Sequence, residues 1–314
     1  MTSHLALVGP TASGKSALAI ELARLAADVE IVSLDSMQVY RGLDIGTAKP
    51  SPAERAEVVH HLIDVADPSE EWSVQRTQGA ARAAIAEIEA QGKRALLVGG
   101  TGLYVRAVVD DLQIPPTDAA LRQAVDQEAD GDAGLARAYA RLTELDPDAA
   151  ARMEPGNRRR IVRALEVIEL TGRPFSSFGA GFDDYPAPAI SVTMIGIAVE
   201  PGVLGARIKE RVEAMRAGGL LEEVRGLTDR ALSRTAHEAI GYREMFDHLS
   251  GDIPLLADAL DATVRRTRRF ARRQRAWFGH DPRVQWIAAD QPAPMAAHVF
   301  GTWRGRLRLG AAMP

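Results

Sequence analysis

The 314-residue chain contains no cysteine, which excludes disulfides, thiolate metal sites and cysteine nucleophiles and suits a reducing cytosol. Lysine is scarce as well: of 38 basic residues only Lys15, Lys49, Lys93 and Lys209 are lysine, the rest arginine. No apolar run approaches the ~20 residues of a membrane-spanning helix, and nothing resembles a signal peptide. A cytoplasmic protein with no membrane partner is expected. The net charge of −4 would argue against a nucleic-acid partner if charge were spread evenly, but it is not. A hydrophobic content of 46% is enough to bury a core in one large domain or two.

What is present begins with GPTASGKS, that is Gly9, Pro10, Thr11, Ala12, Ser13, Gly14, Lys15 and Ser16, directly after the apolar run Leu5–Val8. The spacing G-x-x-x-x-G-K-S/T is that of a phosphate loop, whose glycines let successive backbone N–H groups converge on one anion. Lys15 would lie against phosphate oxygens and Ser16 on a magnesium ion. A scarce lysine at this position suggests that a slim point charge is required. Ser16–Leu25 reads as the helix that follows, with Ile20 and Leu22 to Leu25 on its apolar side.

Apolar runs bounded by turn residues recur at Leu5–Val8, Glu30–Leu34, Ala95–Val98 and Ser191–Val199, with Val284–Ala288 as a late addition and helical stretches between. That alternation predicts an α/β fold, a phosphate-loop NTPase-like parallel sheet flanked by helices. Pro115-Pro116 breaks the pattern. From there Ala119–Glu128, Ala133–Leu145 and Arg158–Leu170 read as helices, and Gly172-Arg173-Pro174 closes them. The expected organisation is a first core segment over 1–113, an all-helical insertion over 114–188, and a second core segment over 189–314.

Three further stretches could carry chemistry. Asp35-Ser36-Met37-Gln38 follows the second strand, and in open parallel sheets ligands bind beyond the carboxyl ends of the strands. A carboxylate beside a polyphosphate has no charge to pair with there, so it would accept a proton or hold metal-bound water, unless it merely caps the next segment. Gly99-Gly100-Thr101-Gly102 makes a second glycine-rich turn at the same edge, and no acid ends the strand before it, which argues against an ATP-hydrolysis engine. Arginines cluster at Arg158-Arg159-Arg160 with Arg163, and again over Arg265–Arg275, seven in eleven residues without an acid. At helical spacing Arg265, Arg268, Arg269, Arg272 and Arg275 share one face, which suits phosphates of a nucleic acid unless acids elsewhere neutralise it. Phe270, Trp277 and Phe278 read as core contacts. His60-His61 diverge on a strand and are not expected to bind metal; Leu62-Ile63-Asp64 reads as a short strand and turn.

With these pieces in order the chain resembles the bacterial tRNA dimethylallyltransferases, also called tRNA isopentenyltransferases, from the first strand to about Phe278. The resemblance rests on GPTASGKS, DSMQVY, DIGTAKP (Asp44 to Pro50), HHLID, GGTGLY, RRRIVRALEV, TGRP, RVEAMRAGGLLEEV (Arg211 to Val224), AIGYRE (Ala239 to Glu244) and RRFARRQRAWF. It implies transfer of a dimethylallyl group from its pyrophosphate to the exocyclic amine of the adenosine 3′ to the anticodon. The phosphate loop would then hold a leaving pyrophosphate with Mg2+, and Arg211 would grip it from the other side. The same resemblance implies Asp35 as general base, Thr101 beside the target nucleotide, and tRNA contacts from Asp35, Ser36, Met37 and Gln38. It also implies contacts from Arg159, Arg160, Ile161, Val162 and Arg163 of the insertion; Arg268 and Arg272 are added from the arginine face.

Some positions depart from that pattern. Gly156-Asn157 replaces Asn-Asp, an exchange expected to cost a carboxylate and the N-cap of the arginine segment. The phenylalanine expected after Ser73-Val74 is absent, and His237-Glu238 replaces glutamine or arginine. Rival readings are a small-molecule kinase using ATP and a transferase acting on free adenine nucleotide; the chain is expected to be a monomer.

Overall fold

The computed structural model describes residues 3–178 and 185–303. Its six strands are β1 (His4–Val8), β2 (Val29–Ser33), β3 (His60–His61), β4 (Arg94–Gly99), β5 (Val192–Ala198) and β6 (Val284–Ala288). They form one parallel sheet in the order β3-β2-β4-β1-β5-β6. The α/β architecture predicted from the alternation of runs is the one found. Central strands are buried along their whole length, so they read as unbroken apolar runs. β3 gives no such signal. It is His60–His61 itself, while the expected strand Leu62-Ile63-Asp64 is irregular, with Leu62 and Asp64 in the left-handed region at φ 64° and 58°. His60 Nδ1 lies 2.7 Å from the Val58 carbonyl and His61 Nε2 2.7 Å from Glu30.

Alternate strand residues face opposite sides. Leu5, Leu7, Ile31, Leu96, Ile195 and Ile197 pack under Leu18 and Leu22 of the helix Lys15–Leu25 and under Val299 and Trp303 of Pro292–Trp303. Ala6, Val8, Val32, Ala95 and Leu97 meet Ile85 and Ile88 of Val74–Ala90 and Val105 and Val108 of Gly102–Val109. On Lys15–Leu25 the buried side is Leu18 to Ile20 with Leu22 and Ala23; Leu25, expected on that side, is the last residue of the helix and is 52% exposed.

The chain divides into two compact units, Met1–Asp111 with Ala187–Pro314, and Leu112–Pro186. Within Leu112–Pro186 the helices Ala119–Glu128, Gly131–Leu145, Pro147–Ala151 and Arg158–Thr171 enclose Val125, Leu142, Ile161, Val162 and Leu165. The last helix keeps its N-cap, contrary to expectation. Asn157 supplies it, its Oδ1 accepting the Arg160 N–H at 3.3 Å, because an amide oxygen serves as well as the carboxylate it replaces. Among the described residues no helix is long and apolar enough to cross a membrane.

Three of the motifs converge on one carboxylate. Glu223 of LLEEV accepts N–H groups from Asp44, Ile45 and Gly46 of DIGTAKP at 3.1, 2.8 and 3.3 Å, and the Tyr242 hydroxyl of AIGYRE at 2.5 Å. Burial, with the Glu223 charge beside it, raises the Tyr242 phenol far above its ordinary range, so it stays a donor. Gly46 lies against that ring: a Cβ there would come within 2.3 Å of Tyr242. Replacing Glu223 by Ala should destabilise folding by about 2 kcal/mol, since four donors lose one acceptor. Chemical denaturation checks this, and a cost within error of zero would remove the knot from the account of stability.

Candidate functional site

Residue pairs Val8 with Gly99 and Ser33 with Val98 stand level in the sheet, so β1, β2 and β4 end at one edge. The loop after β1, Asp35 after β2 and the glycine turn after β4 are delivered there together. β1 lies between β4, reached through the first half of the chain, and β5, reached through the second. Such a switch point opens a crevice beyond the strand ends.

Loop geometry follows from its residues. Gly9 and Gly14 take φ 130° and 98°, and Ala12 is held left-handed at 62°. Among the described residues the N–H groups of Ala12, Gly14, Lys15 and Ser16 make no hydrogen bond, and the helix they open has neither a side-chain cap nor an acid in its first turn. Such a helix mouth suits an anion. The buried Ser13 hydroxyl has no partner either. Thr11 is fixed twice: its N–H donates to Gln274 Oε1 at 2.8 Å, and its hydroxyl accepts from Arg211 Nη1 at 3.5 Å.

Lys15 Nζ donates to the carbonyls of Gly9 and Pro10 at 2.9 and 2.6 Å. Burial first, then the Arg211 charge, lowers its pKa to about 7, against an opposing pull from Asp35. Burial likewise lowers the pKa of Arg211, and Asp35 again opposes. Two desolvated cations therefore face one carboxylate. Asp35 makes no ion pair among the described residues, but its charge draws on both Lys15 and Arg211 from a longer distance. It caps as well. Oδ1 accepts the N–H groups of Met37 and Gln38 at 2.8 and 3.3 Å, while Oδ2 carries no hydrogen bond.

One cavity of about 550 Å³ joins these groups, lined by Thr11 to Ser16, Asp35, Gln38, Gly100 and Arg211. Gly9 and Pro10 reach it only through the carbonyls that hold Lys15. Gln38 is buried and its amide is spent: Nε2 donates to the carbonyls of Thr47 and Ala48, and Oε1 accepts from Ser33. Ser36 and Met37 are half-buried beside it, outside the lining. Thr101 stands at the N-cap of Gly102–Val109 with its hydroxyl making no cap bond, next to the cavity but not lining it. Phe270, expected in the core, lines the cavity, as do Gln274 and Arg207. Gln274 could have been found. It is an uncharged polar residue within the arginine run, and it falls with Ala271 and Phe278 on the buried side of Leu256–Gly279.

The opposite side of that helix exposes Arg265, Arg268, Arg269, Arg272 and Arg275, and none of them is ion-paired among the described residues. Arg268 Nη2 donates to the Gly205 carbonyl at 3.1 Å; Arg266, turned inward, pairs with Glu244 at 3.0 Å. In the helical unit Arg159 and Arg160 are exposed, but Ile161 and Val162 are buried at 0% and 2%. Arg163 is committed too, to the buried Glu166 at 2.8 Å and to the carbonyls of Pro115 and Pro116. The expected contact surface over 159–163 shrinks to two exposed arginines, because Ile161 and Val162 begin the inward face that Ala164 and Leu165 continue one turn on.

A parallel sheet with a phosphate loop at its switch point, an acid facing the loop and a bare arginine face define an anion-handling α/β protein with a polyanionic partner. A family model described as IPP transferase matches residues 38–281, and the chain belongs to that family. Its relatives include the tRNA dimethylallyltransferases of Kineococcus radiotolerans, 50% identical over 94% of this chain and 95% of that one, and of Salinispora tropica, 50% identical over 90% and 86%. The crystal structure of the tRNA isopentenylpyrophosphate transferase of Bacillus halodurans superposes with a TM-score of 0.71 at 38% identity, covering 98% of this chain and 97% of that one.

An anion seated in the loop favours charged Lys15, so it raises a pKa of about 7. Once the ionisation of pyrophosphate itself is accounted for, the Lys15 contribution to affinity should be flat below pH about 7 and fall as pH rises above it, with proton uptake on binding. Calorimetry in buffers of different ionisation enthalpy measures the uptake. Lys15→Met should abolish the part due to this residue; the same uptake in that variant would refute the assignment.

Proposed function

We propose that the chain transfers a dimethylallyl group to tRNA, with the phosphate loop holding the pyrophosphate that leaves and Asp35 receiving the proton that the acceptor sheds. The observation that carries this is the single cavity shared by the open loop amides and the Asp35 carboxylate. Family membership supports a dimethylallyl donor and tRNA as acceptor; in this reading the donor is dimethylallyl pyrophosphate and the acceptor an adenosine 3′ to the anticodon.

The loop suits a leaving group better than a transferred one. As the allylic carbon–oxygen bond breaks, its electron pair goes to pyrophosphate, and fixed N–H groups stabilise that charge more at the transition state than before. Lys15 contributes by exchanging two loop carbonyls for phosphate oxygens, and Arg211 closes from the other side. Magnesium fits only one way. Ser16 offers a hydroxyl without a hydrogen bond, and no cluster of three acids or histidines exists among the described residues. An ion held by Ser16 would complete its shell with substrate oxygens and water, and would offset charge on the pyrophosphate.

An adenine amine delocalises its lone pair and is a weak nucleophile, so it must lose a proton as the nitrogen–carbon bond forms. Asp35 is built to receive it: amide bonds to Oδ1 lock the carboxyl plane and leave Oδ2 for the substrate. The adenosine has to be turned out of the anticodon stack, which costs a few kcal/mol or less in a single-stranded loop. Contacts from Arg159, Arg160 and the exposed arginine face would offset that cost.

Label from dimethylallyl pyrophosphate should enter unmodified tRNA, and phosphate from labelled ATP should enter neither tRNA nor AMP; phosphate transfer would overturn the reading. Asp35→Asn, which keeps the turn acceptor, should lower kcat by about 10²–10⁴ while tRNA affinity holds. Equal losses in both would cancel the base assignment. Changing Arg268 and Arg272 together to Gln should flatten the dependence of log affinity for tRNA on log salt by roughly 1.5 to 2. An unchanged slope would move RNA off that helix.

A further inference from the structure

Gln274 is 5% exposed, although Arg272, Arg273 and Arg275 around it face solvent. Its amide touches both glycine-rich turns. Oε1 accepts the Thr11 N–H at 2.8 Å, and Nε2 lies so close over Gly100 that a Cβ there would come within 2.3 Å of it. The two partners of Gln274 approach each other as well, since the same Cβ would meet the Gly9 carbonyl at 3.3 Å.

We propose that Gln274 is a positioning residue for the reaction: it sets the phosphate loop in register with the glycine turn and with the arginine helix that carries it. The inference rests on the reading of the loop as a pyrophosphate seat. Pro10 has no N–H, so Thr11 is the first residue after Gly9 able to donate one. Spending that donor on Gln274 anchors the chain immediately before Ala12, whose left-handed backbone needs support from its surroundings. The Thr11 hydroxyl then meets Arg211, so one amide aligns both the nest and the opposing cation. The residue type follows. A glutamate would hold Thr11 equally well but would set a negative charge beside the departing anion, and a side chain at position 100 would expel the amide altogether.

The test compares Gln274→Met, Gly100→Ala, Gln274→Ala and the double variant Gly100→Ala with Gln274→Ala. Affinity for inorganic pyrophosphate, KM for the allyl donor, kcat, tRNA affinity and melting temperature are read for each. Gln274→Met should weaken pyrophosphate binding and kcat/KM for the donor by about tenfold or more, while tRNA affinity stays within about twofold and melting temperature is kept. Gly100→Ala should do the same in the native background and much less once Gln274 is Ala, because there is then no amide to displace. Pyrophosphate affinity unchanged in Gln274→Met, donor and tRNA terms falling together, or an equal cost of Gly100→Ala in both backgrounds would each overturn the proposal. Lys15→Met separates the two layers. If it leaves pyrophosphate binding of the native chain intact, the loop reading itself fails; if it abolishes binding, the result for Gln274 stands alone.

Discussion

Everything at this site depends on backbone amides that converge at the mouth of a helix. Four N–H groups of the loop have no protein partner among the described residues, an arrangement that water or an anion stabilises. The fold holds the arrangement by clamping β1 between β4 and β5, so that the loop cannot relax into the sheet. Thr11 and Lys15 supply the remaining restraints, one tied to Gln274 and Arg211 and the other to loop carbonyls. The nest is thus formed before any ligand arrives, and preorganised dipoles spend no energy on reorienting during reaction.

The same constraint brings two cations and one carboxylate to one cavity. Lys15 and Arg211 are each pushed toward neutrality by burial, and each is drawn back by Asp35. The three make a balanced set. In the proposed reaction a pyrophosphate bound among them would take over the cations and leave the carboxylate opposed by less positive charge.

Much of the fold was legible because parallel strands buried on both sides leave unbroken apolar runs, as at Leu5–Val8 and Ala95–Val98. β3 was misplaced because two half-buried histidines carry no such run. The closeness of Asp35 to the loop could be argued from parallel topology alone, which brings all strand ends to one edge. Gln274 is legible only in part: helical periodicity puts it on the buried side, but its bond to a residue 263 positions away leaves no mark in the sequence. The stretch 159–163 shows the opposite fault. Resemblance carried it over whole, whereas helical periodicity assigns Ile161 and Val162 to the interior. Asn157 was undervalued because the lost carboxylate was weighed and the amide oxygen was not.

The bare arginine face has a consequence for how a partner arrives. Seven arginines stand within eleven residues of a chain whose net charge is −4, so the rest of the molecule is more acidic than the total suggests. A polyanion diffusing toward it meets repulsion from most directions and attraction from one. Collisions are sorted by orientation before any atom touches, and counter-ions at higher concentration erase the sorting over distances beyond a Debye length.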